Sequence, residues 1–275
     1  MTLISKKISL NSALLLTGVM LTGVAQGAIS STANGNYTNG ATWTGGAAPV
    51  NGEDYIIENN VEHAGGGTYG LAGDSVTINS GFLRFTGNPV GGDPDNISNI
   101  TVNNLGLNGG QLHFRSSNQY SRVMNLNSGL DVMADSQIRI GDGGEQFSMN
   151  INLNGPISGS SDLQFLSNGG NDAGDIQNLN ITSDNVGFSG DWSINSIDSG
   201  VGSLNANAAN ALGIGALVLN TRSRLVAGAT GSLDSLLGIT LNESSSTLVL
   251  NNAWTNSSAS LDIVDGSLDL ADSAS

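Results

Sequence analysis

The chain has no cysteine, only 4 prolines in 275 residues, 11% charged residues and 5% aromatics. The missing cysteine excludes a disulfide framework and a thiol nucleophile. Scarce aromatics argue against a sandwich built on a thick centre and against the aromatic girdles of a membrane barrel. Positive charge is rarer still. Lys6 and Lys7 are the only lysines, and the formal net charge is -15. Without residues 1–27, six arginines face 23 acidic residues, or -17. Such a surface repels phosphate backbones and anionic lipid heads, which argues against nucleic acid as a partner. Beyond the N-terminus no apolar run is long enough to span a bilayer as a helix.

The N-terminus itself is different. Lys6 and Lys7 precede an apolar run from Ala13 to Val24, and Ala25-Gln26-Gly27 supplies small residues. That order predicts a secretory signal peptide over 1–27, with a central run too short for a comfortable membrane span. An exported chain without cysteine has to be held by backbone pairing and apolar stacking.

What is abundant is a rhythm. Alternating apolar and polar residues recur in Ser75-Val76-Thr77-Ile78, Gln137-Ile138-Arg139-Ile140, Asn150-Ile151-Asn152-Leu153, Leu217-Val218-Leu219 and Thr247-Leu248-Val249-Leu250. Alternation puts successive side chains on opposite faces of a strand. Clusters of Gly, Asn, Ser and Asp separate these pieces, with 39 glycines in all. With 38% hydrophobic residues the chain has enough apolar material for a thin core, which disordered chains lack. Strand-sized pieces roughly every 8–12 residues fit a sandwich, a barrel or a solenoid. Short strands, small turns and few aromatics favour the last.

The expectation is therefore an all-β chain folded as a right-handed parallel β-helix, or β-solenoid. A cap region is expected over 28–74, where Trp43 and Tyr55 would cover the end of the core, since repeat stacks need atypical ends. Repeats follow over 75–275 and are expected to continue past Ser275. At roughly 20–25 residues per coil, about ten coils would make a rod on the order of 50 Å long. Ala206–Leu212 and Gly231–Gly238 look faintly helical but read better as loops in a β array. Asn residues at corners, such as Asn59, Asn60, Asn103, Asn104, Asn251 and Asn252, suit left-handed backbone or a ladder of stacked amides.

One segment is more specific. Asn185-Val-Gly-Phe-Ser-Gly-Asp-Trp-Ser-Ile-Asn195 leads to Ser203-Leu-Asn, then Asn210-Ala-Leu-Gly-Ile-Gly-Ala-Leu-Val-Leu-Asn220, then Ser223-Arg-Leu-Val226. This order resembles the autotransporter-associated β-strand repeat of bacterial passenger proteins. Gly190, Gly213 and Gly215 would permit its tight turns, while Trp192 and Ile194 share a face. The resemblance covers Asn185 to Val226 well and continues weakly over 232–250 and 260–270. It implies a secreted or cell-surface, non-catalytic stalk in adhesion or matrix contact, at the surface of a Gram-negative-type bacterium. The large translocator barrel that follows such passengers has no counterpart before Ser275.

Catalytic chemistry is hard to find. His63 and His113 lack ligand spacing and read as surface or corner residues. Serine is plentiful, but no Gly-x-Ser-x-Gly elbow exists. Carboxylates on Gly-rich turns, Asp93 with Asp95, Asp142 with Glu145, and Asp172 with Asp175, are candidates for calcium or for local turn capping. No catalytic or cofactor-binding residue is assigned, and no metal ligand is fixed. An alternative is a β-helix that binds or degrades polysaccharide, with calcium as a candidate aid, in which Arg115, Arg122 and Arg139 approach acids on neighbouring coils. A long cleft lined by aromatics and carboxylates would favour that alternative; a featureless polar rod would favour the stalk.

Overall fold

A computed structural model describes residues 27–65, 67–87, 97–116, 122–143, 148–170, 172, 174–251 and 259–270. The signal segment (1–26 of the predicted 1–27), Asp93, Asp95 and Glu145 lie outside the described residues, as does Asn252. The chain is an all-β parallel solenoid of about eight turns. Three sheets run along it. The six-stranded sheet stacks Ile29–Ser30, Asp54–Ile57, Ser75–Ile78, Leu105–Asn108, Leu130–Ala134 and Ile157–Gly159. The ten-stranded sheet stacks Gly35–Asn36, Asn60–Gly65, Phe82–Gly87, Gln111–Ser116, Ser136–Ile140, Leu163–Ser167, Trp192–Ser196, Ala216–Leu219, Gly238–Leu241 and Ser260–Ile263. The nine-stranded sheet begins at Thr68–Gly70 and Ile97–Thr101 and ends at Thr247–Leu250 and Ser267–Leu270.

Each strand pairs with its equivalent one turn away, so alternation within a strand becomes a column across the stack. Leu83, Leu112, Ile138, Phe165, Ile194, Leu219 and Leu241 form one such column in register. All of these side chains are buried. Their flanking residues, one position on, face outward, which is the period-2 pattern carried from sequence to packing.

Turn length varies. Hydrogen-bonded asparagines in successive turns are 25 to 28 residues apart between Asn99 and Asn205, but Asn220 and Asn242 are 22 apart. The expected 20–25 residues per coil therefore holds for the later turns and for the early one that pairs Tyr55 with Val76, 21 residues apart, but not for those between Asn99 and Asn180. The earlier ones carry three strands, and the count falls from ten coils to about eight. At about 4.8 Å per turn the rod is about 40 Å long.

After Ile157–Gly159 the six-stranded sheet stops. Phe188 makes a single parallel bridge to Gly159, and turn segments fill the third side from there. Ala211, Leu212, Leu233 and Leu236 point inward from those segments and are buried. The two faintly helical stretches are thus corners of the β array, as their sequence favoured.

At the N-terminal end Trp43 packs edge-on against Tyr55 at 5.0 Å and Tyr37 at 5.2 Å between ring centroids. Trp43 Nε1 donates to the Tyr37 carbonyl at 2.8 Å, so the buried indole loses no hydrogen bond. The isolated antiparallel bridge Ser31–Trp43 and the 3-10 turn Gly40–Thr42 hold this plate across the stack. At the other end the last described turn leaves Leu261, Ile263, Leu268 and Leu270 exposed, whereas of their register partners Ile239, Leu241 and Leu248 are buried and Leu250 is half-buried.

Polar ladders complete the stack. Asn125 donates to Asn99 at 2.9 Å, Asn152 to Asn125 at 2.6 Å, Asn180 to Asn152 at 2.9 Å and Asn205 to Asn180 at 2.8 Å. This ladder runs down the middle of the nine-stranded sheet, not along a corner. The corner residues Asn103 and Asn104 instead donate to the carbonyls of Gly73 and Asp74 in the preceding turn. Asn152→Ala removes two amide bonds at once and should cost about 1–2 kcal/mol. Thermal unfolding checks this; a loss of only a few tenths would show that water replaces the ladder without penalty.

Candidate functional site

The outer face of the ten-stranded sheet gathers three of the chain's scarce arginines beside Phe82 and His113. Phe82, Arg84 and Thr86 alternate outward on Phe82–Gly87, and Gln111, His113 and Arg115 lie in register with them on the next strand. Gln137 and Arg139 follow one turn later, then Gln164 and Leu166. Three of the six arginines meet around one carboxylate. Asp142 accepts from Arg115 at 3.1 Å, from Arg139 at 3.3 Å and from Arg84 at 3.4 Å. Arg84 also pairs with Glu62 at 2.7 Å. Arg84 lies over the Phe82 ring, 5.1 Å from its centroid. The arginine-to-acid approach expected of neighbouring coils is thus made by Arg115, whereas Arg139 pairs with Asp142 three residues on, within its own turn. Arg122 is buried at 2% exposure.

The ion pairs are half-exposed, so each is worth little, but sharing one acceptor fixes the register of three turns. Glu62 feels opposing influences. Burial pushes its carboxyl up, but hydrogen bonds from Thr86 and Arg84 and the charges of Arg84 and Arg115 outweigh this, so it titrates below the ordinary range. Its contribution to stability is present above the ordinary carboxylate range and is lost as pH falls through the lowered value.

The histidines are not surface or corner residues. His113 sits mid-strand between Arg84 and Arg139 at 1% exposure, and its ring meets Phe82 edge-on at 5.6 Å. His63 occupies the inward column with Phe85. Burial lowers the pKa of both, that of His113 to about 4. The Gly141 carbonyl, 2.9 Å from His113 Nε2, requires that nitrogen to carry the proton, while Nδ1 is buried without a partner. A second proton would therefore be buried unpaired beside two guanidinium groups. The neutral ring's contribution is intact above about pH 6.5 and is lost as pH falls toward 4, by about 3 kcal/mol at the bottom of that window. His113→Gln, which keeps a donor and does not titrate, should flatten the loss between pH 7 and pH 4 in urea unfolding. An unchanged pH slope in the variant would remove His113 as its source.

Two hollows open on this face. One, about 400 Å³, is lined by Gln111, Gln137, Gln164, Asp135, Asp162 and Ser193 among others. The second, about 580 Å³, is lined by Asn60, Glu62, Phe82 and Arg84 with the turn at Asn34–Asn36. They adjoin, because Phe82 is the register partner of Gln111. The glutamines hydrogen-bond along the column, Gln111 to Gln137 and Gln137 to Gln164. Each wall aspartate holds the next turn. Asp135 accepts from the Asp162 N–H at 3.1 Å, and Asp162 accepts from the Asp191 N–H at 3.0 Å.

The sequence-predicted carboxylate clusters fare differently. Asp142 is ringed by guanidinium groups, an environment already supplied with positive charge. Asp175 accepts from the Asp172 N–H at 3.4 Å, and its own N–H donates to the Asp172 carbonyl at 3.0 Å, which is local turn capping. Among the described residues no three His, Asp or Glu side chains gather as a metal site, and no helix is long and apolar enough to cross a membrane. Sequence reasoning missed Phe82, the glutamine column and the Asp135–Asp162 wall. The recurrence of Gln at 26 and then 27 residues was the signal that could have found them.

Scanned against protein families, characterised proteins and solved structures, the chain matches none. The class it defines is the parallel β-solenoid, by architecture alone.

Proposed function

We propose that this chain is an exported, non-catalytic β-solenoid that serves as a stalk at the surface of a Gram-negative-type bacterium, in adhesion or matrix contact. The observation that carries the reading is the unbroken rung-to-rung pairing of the ten-stranded sheet, which makes a stiff rod with a continuous outer face. The signal-like residues 1–27 and the resemblance of Asn185–Val226 to autotransporter-associated repeats support the same direction. The wall carboxylates Asp135 and Asp162 are engaged by backbone N–H groups, which suits them to holding shape more than to proton transfer. The joined hollows favour a second reading, in which the matrix contact is made to polysaccharide.

Two measurements test the proposal. Expressed in a Gram-negative host, the chain should leave the cytoplasm with residues 1–27 removed, as read by N-terminal sequencing. Beads coated with folded protein should adhere to an extracellular bacterial matrix, and beads coated with heat-unfolded protein should not. Cytoplasmic retention at full length, or equal adhesion of both bead types, would overturn it.

A further inference from the structure

We infer that the groove on the ten-stranded sheet binds an extended, uncharged polysaccharide lying along the rod axis, one sugar per turn. The inference rests on the matrix-contact reading and gives it a ligand class. Its first support is periodicity. Gln111, Gln137 and Gln164 repeat in register at the turn spacing of about 4.8 Å, close to the length of one pyranose in an extended chain. A ligand that repeats at that interval meets the same side chain at each step.

The second support is the hydrogen-bonding capacity left over. A primary amide has two N–H donors and an oxygen with two lone pairs. The ladder consumes one donor and one lone pair of Gln137. One of each remains per turn, the pair that two neighbouring sugar hydroxyls can satisfy together. Asp135 and Asp162 each accept a backbone N–H at Oδ1, and Oδ2 is left to accept from a hydroxyl. Half-buried Phe82 stands at the end of the glutamine column, where an apolar ring suits the C–H face of a sugar.

The third support is charge. Two aspartates wall the glutamine stretch, and the chain carries -15 overall. A uronic-acid polymer would be repelled there, whereas a neutral chain would not. The arginines that could offset this are turned to Asp142 and Glu62.

The test is calorimetric titration of the full chain with neutral hexasaccharides (β-1,4-, β-1,3- and α-1,6-glucans), the matching disaccharides and an oligogalacturonate hexamer. A neutral hexamer is expected to bind at least about tenfold more tightly than its disaccharide, since it spans more turns, and more tightly than the galacturonate. Ser193→Trp, which puts bulk into the groove beside its register partner Gln164 and keeps all three glutamines, should abolish binding. Gln111→Ala with Gln137→Ala should weaken it by about tenfold or more, roughly the loss of one good contact. Asn178→Ala, on the strand Ile176–Ile181 of the nine-stranded sheet, should bind as wild type. Failure of every neutral hexamer, preference for the galacturonate, or full binding by Ser193→Trp would overturn the inference. Bead adhesion that survives Ser193→Trp alongside such a failure would leave the stalk reading standing; loss of adhesion by folded wild-type beads would fell that reading itself.

Discussion

Gly215→Ala is expected to destabilise the solenoid by about 3 kcal/mol, although a methyl group is a small addition and the backbone there is not left-handed. A Cβ at Gly215 would sit 2.0 Å from the Gly190 carbonyl oxygen, and a Cβ at Gly190 would sit 1.9 Å from that of Ser161. The corner of each turn rests directly on the backbone of the one before it. Backbone cannot swing aside as a side chain does, so the turns must separate and weaken their ladder. Gly213 combines both demands, with φ 75° and a Cβ position 2.2 Å from the Phe188 carbonyl oxygen. Gly52 is the control, because its φ is 91° and nothing lies within 4 Å of its Cβ position. Gly52→Ala should cost only about 1–2 kcal/mol, the strain of the left-handed backbone. Urea unfolding of the three variants separates the causes. If Gly215→Ala proved no worse than Gly52→Ala, close approach between turns would not be what requires glycine.

That comparison refines what the sequence could say. Turn freedom was the natural reading of Gly190, Gly213 and Gly215, and it applies to Gly213. At the other two positions the requirement comes from a residue about one turn away, and no local pattern reveals it. The strands themselves were legible. Ser75–Ile78 and Met149–Leu153 are strands over the residues whose alternation marked them, because period-2 burial is a local property. Columns are not local. Arg84, His113 and Arg139 meet because one pair of strands is offset by 29 residues and the next by 26, and those offsets depend on turn lengths that composition does not fix. The burial of His113 follows from this, since its neighbours above and below cover it. The glutamine column was the exception, a repeat in residue type at nearly constant spacing.

Trp192→Ala should be the most damaging truncation in the chain, at about 3–5 kcal/mol. Trp192 is 1% exposed, packs edge-on to Phe188 at 5.7 Å and donates from Nε1 to the Leu212 carbonyl at 3.0 Å. It therefore ties the ten-stranded sheet to the turn segment that replaces the six-stranded one. Removing it leaves both a cavity and an unpaired carbonyl where the third side changes from strand to corner. A solenoid is a chain of nearest-neighbour interfaces, so the damage should stay near that junction. Hydrogen exchange is the suitable measurement. Amides of Leu163–Ser167 and Ala216–Leu219, which flank Trp192 in register, should lose protection, while those of Asp54–Ile57 keep it. Uniform loss from end to end would mean that the rod unfolds as one unit. In that case the aromatic plate of Tyr37, Trp43 and Tyr55 and the buried Trp192 would stabilise a single cooperative body, and local mutations could not be read turn by turn.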